Sequence, residues 1–391
     1  MEFLLKHRSN ELSPDERHIL EKVTAQQRIT DEEALALLHS DNYPFLAQLA
    51  NIPRERRHGK KTYFNRNFHI EPTNICIYSC SFCSFARKAD AEDAWEYSLD
   101  EVEEIVRGYD NKPVTEVHIV GGVHPKRGVE YYGEMIQRVK AIRPEIHVKA
   151  FTAVEIKVMC ARSRMSIEEG LEYLRDCGLD SLPGGGAEIF HPEVRQQICD
   201  TKASTDNWLT IHETAHSIGI PSNCTMLYGH IEAYKHRVHH MRLLRELQDR
   251  HDGFNTFIPL KFRASNNQLS HLMETTLLED LKMYAVARVY MDNMPNIKAY
   301  WPMIGKETAQ LSQHFGVNDL DGTIDDSTKI YSMAGAEDQN PSCSTPELVQ
   351  LIEAAGYTPI ERDSVYNELR NFLEEPWSEE RDVSELSKAT A

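Results

Sequence analysis

Phe68-His69-Ile70-Glu71-Pro72-Thr73-Asn74-Ile75-Cys76-Ile77-Tyr78-Ser79-Cys80-Ser81-Phe82-Cys83 joins a short β-rich run directly to a loop carrying three cysteines. Working outward, the β-rich run recurs. The expected strands are Phe68–Pro72, Val114–Val120, His147–Thr152, Leu179–Leu182, Ser222–Leu227, Phe254–Phe262, Ile297–Pro302 and Val317–Leu320. Amphipathic segments lie between them, among them Leu99–Tyr109, Val129–Ile142, Ser166–Cys177, Trp208–Ile218, Ala233–Arg250, Thr276–Asp292 and Lys306–Phe315. Alternation of strand and helix demands parallel strands with right-handed crossovers, and eight units are the number that closes a barrel. The fold class expected is α/β, a (βα)8 TIM-type barrel. Eight strands alone would also allow an open doubly wound sheet.

Four runs end in glycine beside ionisable or hydrogen-bonding residues: Gly121-Gly122-Val123-His124, Pro183-Gly184-Gly185-Gly186-Ala187-Glu188, Tyr228-Gly229-His230 and Asn318-Asp319-Leu320-Asp321-Gly322. Barrels of this kind build their sites at such strand ends. Before the barrel, Ser13-Pro14-Asp15-Glu16 and Thr30-Asp31-Glu32-Glu33 carry capping-box signals for two helices. The basic stretch Arg54-Glu55-Arg56-Arg57-His58-Gly59-Lys60-Lys61 reads as a solvated linker, or else as an anion site. Residues 1–62 are expected to form a helical extension, 63–328 the barrel, and 329–391 a helix from Pro346 to Ala355 packed on the barrel with a polar, poorly ordered tail.

Composition narrows the function. Lys and Arg number 43 against 61 Asp and Glu, a net charge of −18. That balance argues against a nucleic-acid binder, which gains its affinity by neutralising phosphates. No apolar run approaches the roughly 20 residues of a membrane span, and the first residues are too polar for a signal peptide, so the expectation is a cytoplasmic protein without a membrane partner. Eight cysteines in 391 residues are too sparse for a disulfide scaffold. Cys160, Cys177, Cys199, Cys224 and Cys343 have no ligand spacing and read as packed thiols, whereas Cys76, Cys80 and Cys83 crowd one loop. Three thiolates can each bind one iron of a cubane cluster and leave the fourth iron open. A ferredoxin needs a fourth close cysteine, and a structural zinc site needs a second ligand pair.

The C-x-x-x-C-x-Phe-C loop after the first strand of a barrel resembles the radical S-adenosylmethionine (SAM) superfamily. The resemblance implies a radical SAM barrel with a 4Fe-4S cluster on Cys76, Cys80 and Cys83 and with SAM as co-substrate. It also implies cofactor contacts from Phe82 beside the adenine, Gly121 and Gly122 near the methionine amino group, and Glu188 near the ribose. Val123 stands where the superfamily often has Glu, so a side-chain contact at 123 is not carried over. Phe64–Asn74, His118–Pro125, Pro183–Glu188, Asn296–Pro302, Gly316–Thr323 and Ala336–Pro341 narrow the likeness to the menaquinone (futalosine-pathway) branch, and within it to the aminofutalosine synthase family. That family adds the 5′-deoxyadenosyl radical to 3-[(1-carboxyvinyl)oxy]benzoate and releases 6-amino-6-deoxyfutalosine, methionine and bicarbonate. An electron donor such as flavodoxin or ferredoxin is implied.

Two substrate carboxylates call for cations or hydrogen-bond donors at strand ends. The candidates are Arg263, His118, His124, His230, Lys261 and Asp319, with Arg66 and Lys298 beside them. Arg263 ranks first because a guanidinium can grip a carboxylate with two donors. Each cation could equally be an internal ion-pair partner, for instance of Glu71 or Glu155. His212, His216, His239 and His240 fall on crossover helices and read as surface residues. Two alternatives remain open: a sister reaction, the dehypoxanthine futalosine cyclase or deazaflavin precursor synthase, in which the radical abstracts hydrogen; and a non-catalytic iron–sulfur or zinc scaffold.

Overall fold

A computed structural model describes residues 12–325, 328–335 and 342–378. The first strand of the barrel is longer than its sequence suggests and is interrupted at Arg66 into β1 (Lys61–Asn65) and β2 (Asn67–Ile70). It is followed by β3 (Glu116–Ile119), β4 (His147–Ala150), β5 (Ser222–Tyr228), β6 (Phe254–Lys261), β7 (Asn296–Ile297) and β8 (Asp319–Gly322). Parallel pairing runs β2–β3–β4 and β5–β6–β7. Single bridges fill the gaps: Lys149 to Ser181, Leu182 to Ser222, and Lys298 to Asp319. Because β8 pairs with β1, the ring closes. The fourth strand, expected over Leu179–Leu182, is thus reduced to two bridging residues. The expected Ile297–Pro302 strand stops at Ile297, and the chain turns into a short helix over Trp301–Ile304 with Pro302 in its first turn.

The C-terminal region holds more than the expected helix. After the helix Thr345–Ala354, β9 (Thr358–Arg362) pairs parallel with β1, and β10 (Glu368–Asn371) folds back antiparallel on β9. This hairpin covers the N-terminal end of the barrel, where two buried ion pairs join it to the strands. Arg66 donates from Nε and Nη2 to Glu361 at 2.7 and 2.9 Å, and Arg362 Nε donates to Asp319 at 2.6 Å. Ala336–Pro341 and residues 379–391, which the sequence reading used as a motif and a polar tail, lie outside the described residues.

The basic stretch is not a solvated linker. Residues 54–58 end the helix Tyr43–His58, and that helix docks through them. Arg54, wholly buried, donates to the Val317, Gly59 and Lys61 carbonyls and to Thr62 Oγ1, while its guanidinium lies 3.9 Å from the Tyr357 ring centroid. Arg57 reaches the Met294 and Asp292 carbonyls. The capping boxes at Ser13/Glu16 and Thr30/Glu33 are both formed.

Of the four crossover-helix histidines, His212 and His240 are buried, while His216 and His239 are half-buried. His212 Nδ1 and His216 Nε2 both meet Ser222 Oγ at 2.8 Å, and His240 bridges the Phe190 amide and the Thr225 carbonyl between helix and strand. Burial pushes His58 and His240 down to about 3 and His69 and His216 down to about 4. Between these values and the unfolded value near 6.5, the unfolded chain binds more protons than the folded one, so stability falls as pH falls. We expect melting temperature to be flat from pH 8 to 7 and to drop steeply toward pH 5, each such imidazole costing about 1.4 kcal/mol per pH unit. Scanning calorimetry across that range checks it.

Candidate active site

One cavity of about 350 Å³ opens at the C-terminal ends of the barrel strands. At one end lies the cysteine loop that follows β2. Cys76, Cys80 and Cys83 all line the cavity, all half-buried and free. Burial raises the Cys76 thiol and pushes Cys80 up to about 12, so the ligand-free loop holds both as thiols, and metal binding would release their protons. Three thiols on one loop, all lining the same cavity, are the donor set that could give one thiolate to each of three irons of a cluster. The loop is tied down by Cys76 N–H to the Arg87 carbonyl, Ile77 N–H to the Val123 carbonyl, and Ser81 N–H to the Ile198 carbonyl.

Gly121 and Gly122, at the end of β3, line the cavity against this loop. A Cβ on Gly122 would stand 2.4 Å from the Ile75 carbonyl oxygen, and one on Gly121 2.8 Å from that of Thr73. The glycines are therefore demanded by the cysteine loop's own backbone before any ligand is considered. The Gly184–Gly186 turn is constrained in the same way. Gly184 has φ +81° and no room for a side chain against the Asn223 carbonyl, and the turn delivers Glu188 in the left-handed region at φ +50°. Glu188 pairs with Lys202, which the sequence reading did not single out. Lys202 lies 5.4 Å from the Phe82 ring centroid and lines the cavity with both partners. No spacing rule would have found it, since it sits fourteen residues beyond Glu188 in a turn.

The cavity floor is polar and charge-paired. Lys149 meets Glu116, and Lys298 meets Asp321. His69 and His118 face each other, Nδ1 of His118 lying 3.4 Å from Nε2 of His69, while His118 Nε2 is buried without a hydrogen-bond partner. Burial holds both imidazoles neutral at pH 7. Ile258, Leu260 and Phe262 line the cavity with apolar side chains, and Tyr300, Met303 and Tyr331 line it from the chain's later half. The segment bearing Tyr331 is latched by Glu71, whose carboxylate accepts from Thr328 Oγ1 and from the Lys329 and Ile330 amides.

Of the six substrate candidates, Arg263 and His118 reach the cavity. Arg263 spends donors on the Gly335 and Met303 carbonyls and on Glu274 at 3.3 Å, so it also clamps the Tyr331 segment. The other four are placed elsewhere. His124 lies behind the glycine turn beside Glu96, with its Nδ1 accepting from the Lys126 amide. His230 is wholly buried against Glu232 and Phe262. Lys261 is taken up by Asp280 and the Thr275 carbonyl. Asp319 belongs to the far end of the barrel with Arg362. Each was drawn to a strand end by sequence position, but its side chain points outward or downward rather than into the mouth. Arg66 and Lys298, the further candidates, are both in ion pairs, and only Lys298 lines the cavity.

Comparison with known proteins shows the family. A family model for the radical SAM superfamily matches residues 70–244, and one for the CofH/MqnC C-terminal region matches residues 251–375. The chain is 44% identical over 356 residues to aminodeoxyfutalosine synthase of Thermus thermophilus, covering 90% of this chain and 95% of that one. It is 40% identical over 366 residues to aminodeoxyfutalosine synthase of Streptomyces coelicolor, covering 91% and 94%. The crystal structure of methylornithine synthase (PylB) superposes with a TM-score of 0.70 at 16% identity, over 87% of this chain and 96% of that one, a likeness of fold alone. Among the described residues no helix is long and apolar enough to cross a membrane.

Proposed function

The chain belongs to the radical SAM superfamily, and from that membership we propose that it joins the 5′-deoxyadenosyl portion of SAM to 3-[(1-carboxyvinyl)oxy]benzoate, giving 6-amino-6-deoxyfutalosine, methionine and bicarbonate. The observation that carries this reading is the identity of 44% along nearly the whole length of an aminodeoxyfutalosine synthase. A 4Fe-4S cluster held by Cys76, Cys80 and Cys83 supplies, when bound, the electron that cleaves the SAM sulfonium, with a protein such as flavodoxin or ferredoxin as its source.

The protein's own residues supply the rest. Phe82 offers a flat face for the adenine, Glu188 offers acceptors for ribose hydroxyls, and Lys202 holds that carboxylate in place. The floor offers Lys149, Lys298 and the neutral His118 as donors to a substrate carboxylate. Every lining cation already faces a carboxylate or carbonyl, so a dianionic substrate is held by shared hydrogen bonds rather than by bare positive charge. Tyr300, Met303 and Tyr331, fixed through Glu71 and Arg263, keep water from the reacting alkene.

The test is an anaerobic incubation with SAM, dithionite and the enol ether, followed by mass analysis. An adenosylated product with one methionine per turnover is expected. Free 5′-deoxyadenosine in stoichiometric yield would overturn the addition chemistry in favour of hydrogen abstraction.

A further inference from the structure

The glycine turn that lines the cofactor end of the cavity is held from both faces. From the front, Gly122 N–H donates to the Thr73 carbonyl at 2.6 Å and Val123 O accepts from Ile77 N–H at 3.0 Å, both contacts with the cysteine loop. From behind, Gly121 N–H donates to Glu155 Oε1 at 3.1 Å. The other oxygen of Glu155 accepts from the Thr152 amide and hydroxyl at 2.7 Å each, closing a capping box on the helix Ala153–Ser163.

A helix cap needs only that second oxygen. The first is turned to a residue 34 positions away on the neighbouring strand, and Glu155 is 3% exposed there. Val123, next in the chain after the glycines, has no acceptor with which to do this. We propose that Glu155 is a positioning residue for SAM, fixing the Gly121–Gly122 backbone against the cysteine loop so that the turn is preformed when the co-substrate arrives. This rests on the reading that SAM occupies this end of the cavity. A buried carboxylate with three donors and no competing use is costly to desolvate, and burial pushes it up to about 7. The fold bears that cost where one group ties β3, β4 and the glycine turn together.

The experiment uses the reconstituted holoenzyme and Glu155→Gln, whose single amide oxygen can serve Thr152 or Gly121 but not both. The expected result is a Kd and KM for SAM raised about tenfold, roughly what the loss of one buried hydrogen bond gives. Iron content, kcat and the KM of the aryl substrate should stay within twofold. In the ligand-free protein, amide exchange at Gly121 and Gly122 should quicken while that of residues 156–163 does not. Should Glu155→Gln lose its cluster, Glu155→Asp, which keeps the charge but draws the carboxylate back by one methylene, is expected to give the same split. Unchanged SAM affinity with unchanged exchange overturns the proposal, as does loss of the cluster in both variants. A wild-type holoenzyme that does not bind SAM would instead overturn the reading of the site.

Discussion

Replacing Cys76, Cys80 or Cys83 singly by Ala should abolish cluster assembly and, with it, all product formation, while leaving the far-ultraviolet circular dichroism of the barrel intact. The side chains lie on a loop whose backbone is secured independently of any metal, through the Arg87, Val123 and Ile198 carbonyls, so the loop should keep its path when one thiol is lost. What is lost is one of three ligands, and a cubane with two protein thiolates has no route to a single open iron. Cys199 and Cys343 give the decisive controls. Cys343 is buried far from the loop in sequence, and its change to Ala should cost about 1 kcal/mol of stability and no iron. Cys199 is the sharper test. It is buried at the end of the helix whose Ile198 carbonyl receives Ser81 N–H, which brings a fourth thiol close to Cys80. Iron and sulfide content after anaerobic reconstitution should be unchanged in Cys199→Ala. Loss of the cluster there would overturn the three-ligand assignment, as would full cluster content in Cys76→Ala.

The barrel and the cavity end that carries the cysteines and glycines were legible in the sequence because both depend on local patterns. Strand and helix alternate with different hydrophobic periods, and the cysteines and glycines sit at fixed spacings next to strand ends. Phe82, Gly121, Gly122 and Glu188 accordingly line the same cavity as the three cysteines. Which cations line the rest of the cavity was not legible, because whether a lysine or arginine faces a cavity or a neighbour depends on partners far away in the chain. Lys261 finds Asp280, and Arg263 reaches across to Gly335. Lys202 was missed because nothing local distinguishes it from a surface lysine. The hairpin β9–β10 was missed for a related reason: it adds to the outside of β1 and serves the closed end of the barrel, where no functional motif marks it. The histidines of the crossover helices looked exposed because a period places them only on a helix face, and at His212, His216 and His240 that face carries ring nitrogens into hydrogen bonds with Ser222 and Thr225.

The same distinction between the two ends of the barrel decides what a change at Asp319 does. Its place beside Gly322 in a glycine-bearing strand end suggested a substrate contact, yet its carboxylate accepts from Arg362 Nε at 2.6 Å with both side chains essentially inaccessible. Against the penalty of burial, Arg362 and Lys298 hold the Asp319 carboxyl below its usual range, so the pair is charged at neutral pH. Asp319→Asn removes the negative partner and leaves a buried guanidinium uncompensated, a change worth about 3–5 kcal/mol. In a chain of this size that corresponds to a fall in melting temperature of roughly 4–6 °C. The KM values of those molecules that fold should not move. Arg362→Met should lose a similar amount, and the double variant Asp319→Leu with Arg362→Met should recover most of it, because two apolar side chains of similar volume leave no charge stranded. A large rise in substrate KM without loss of thermal stability in Asp319→Asn would return this residue to the active site, and additive losses in the double variant would show that the two side chains act separately.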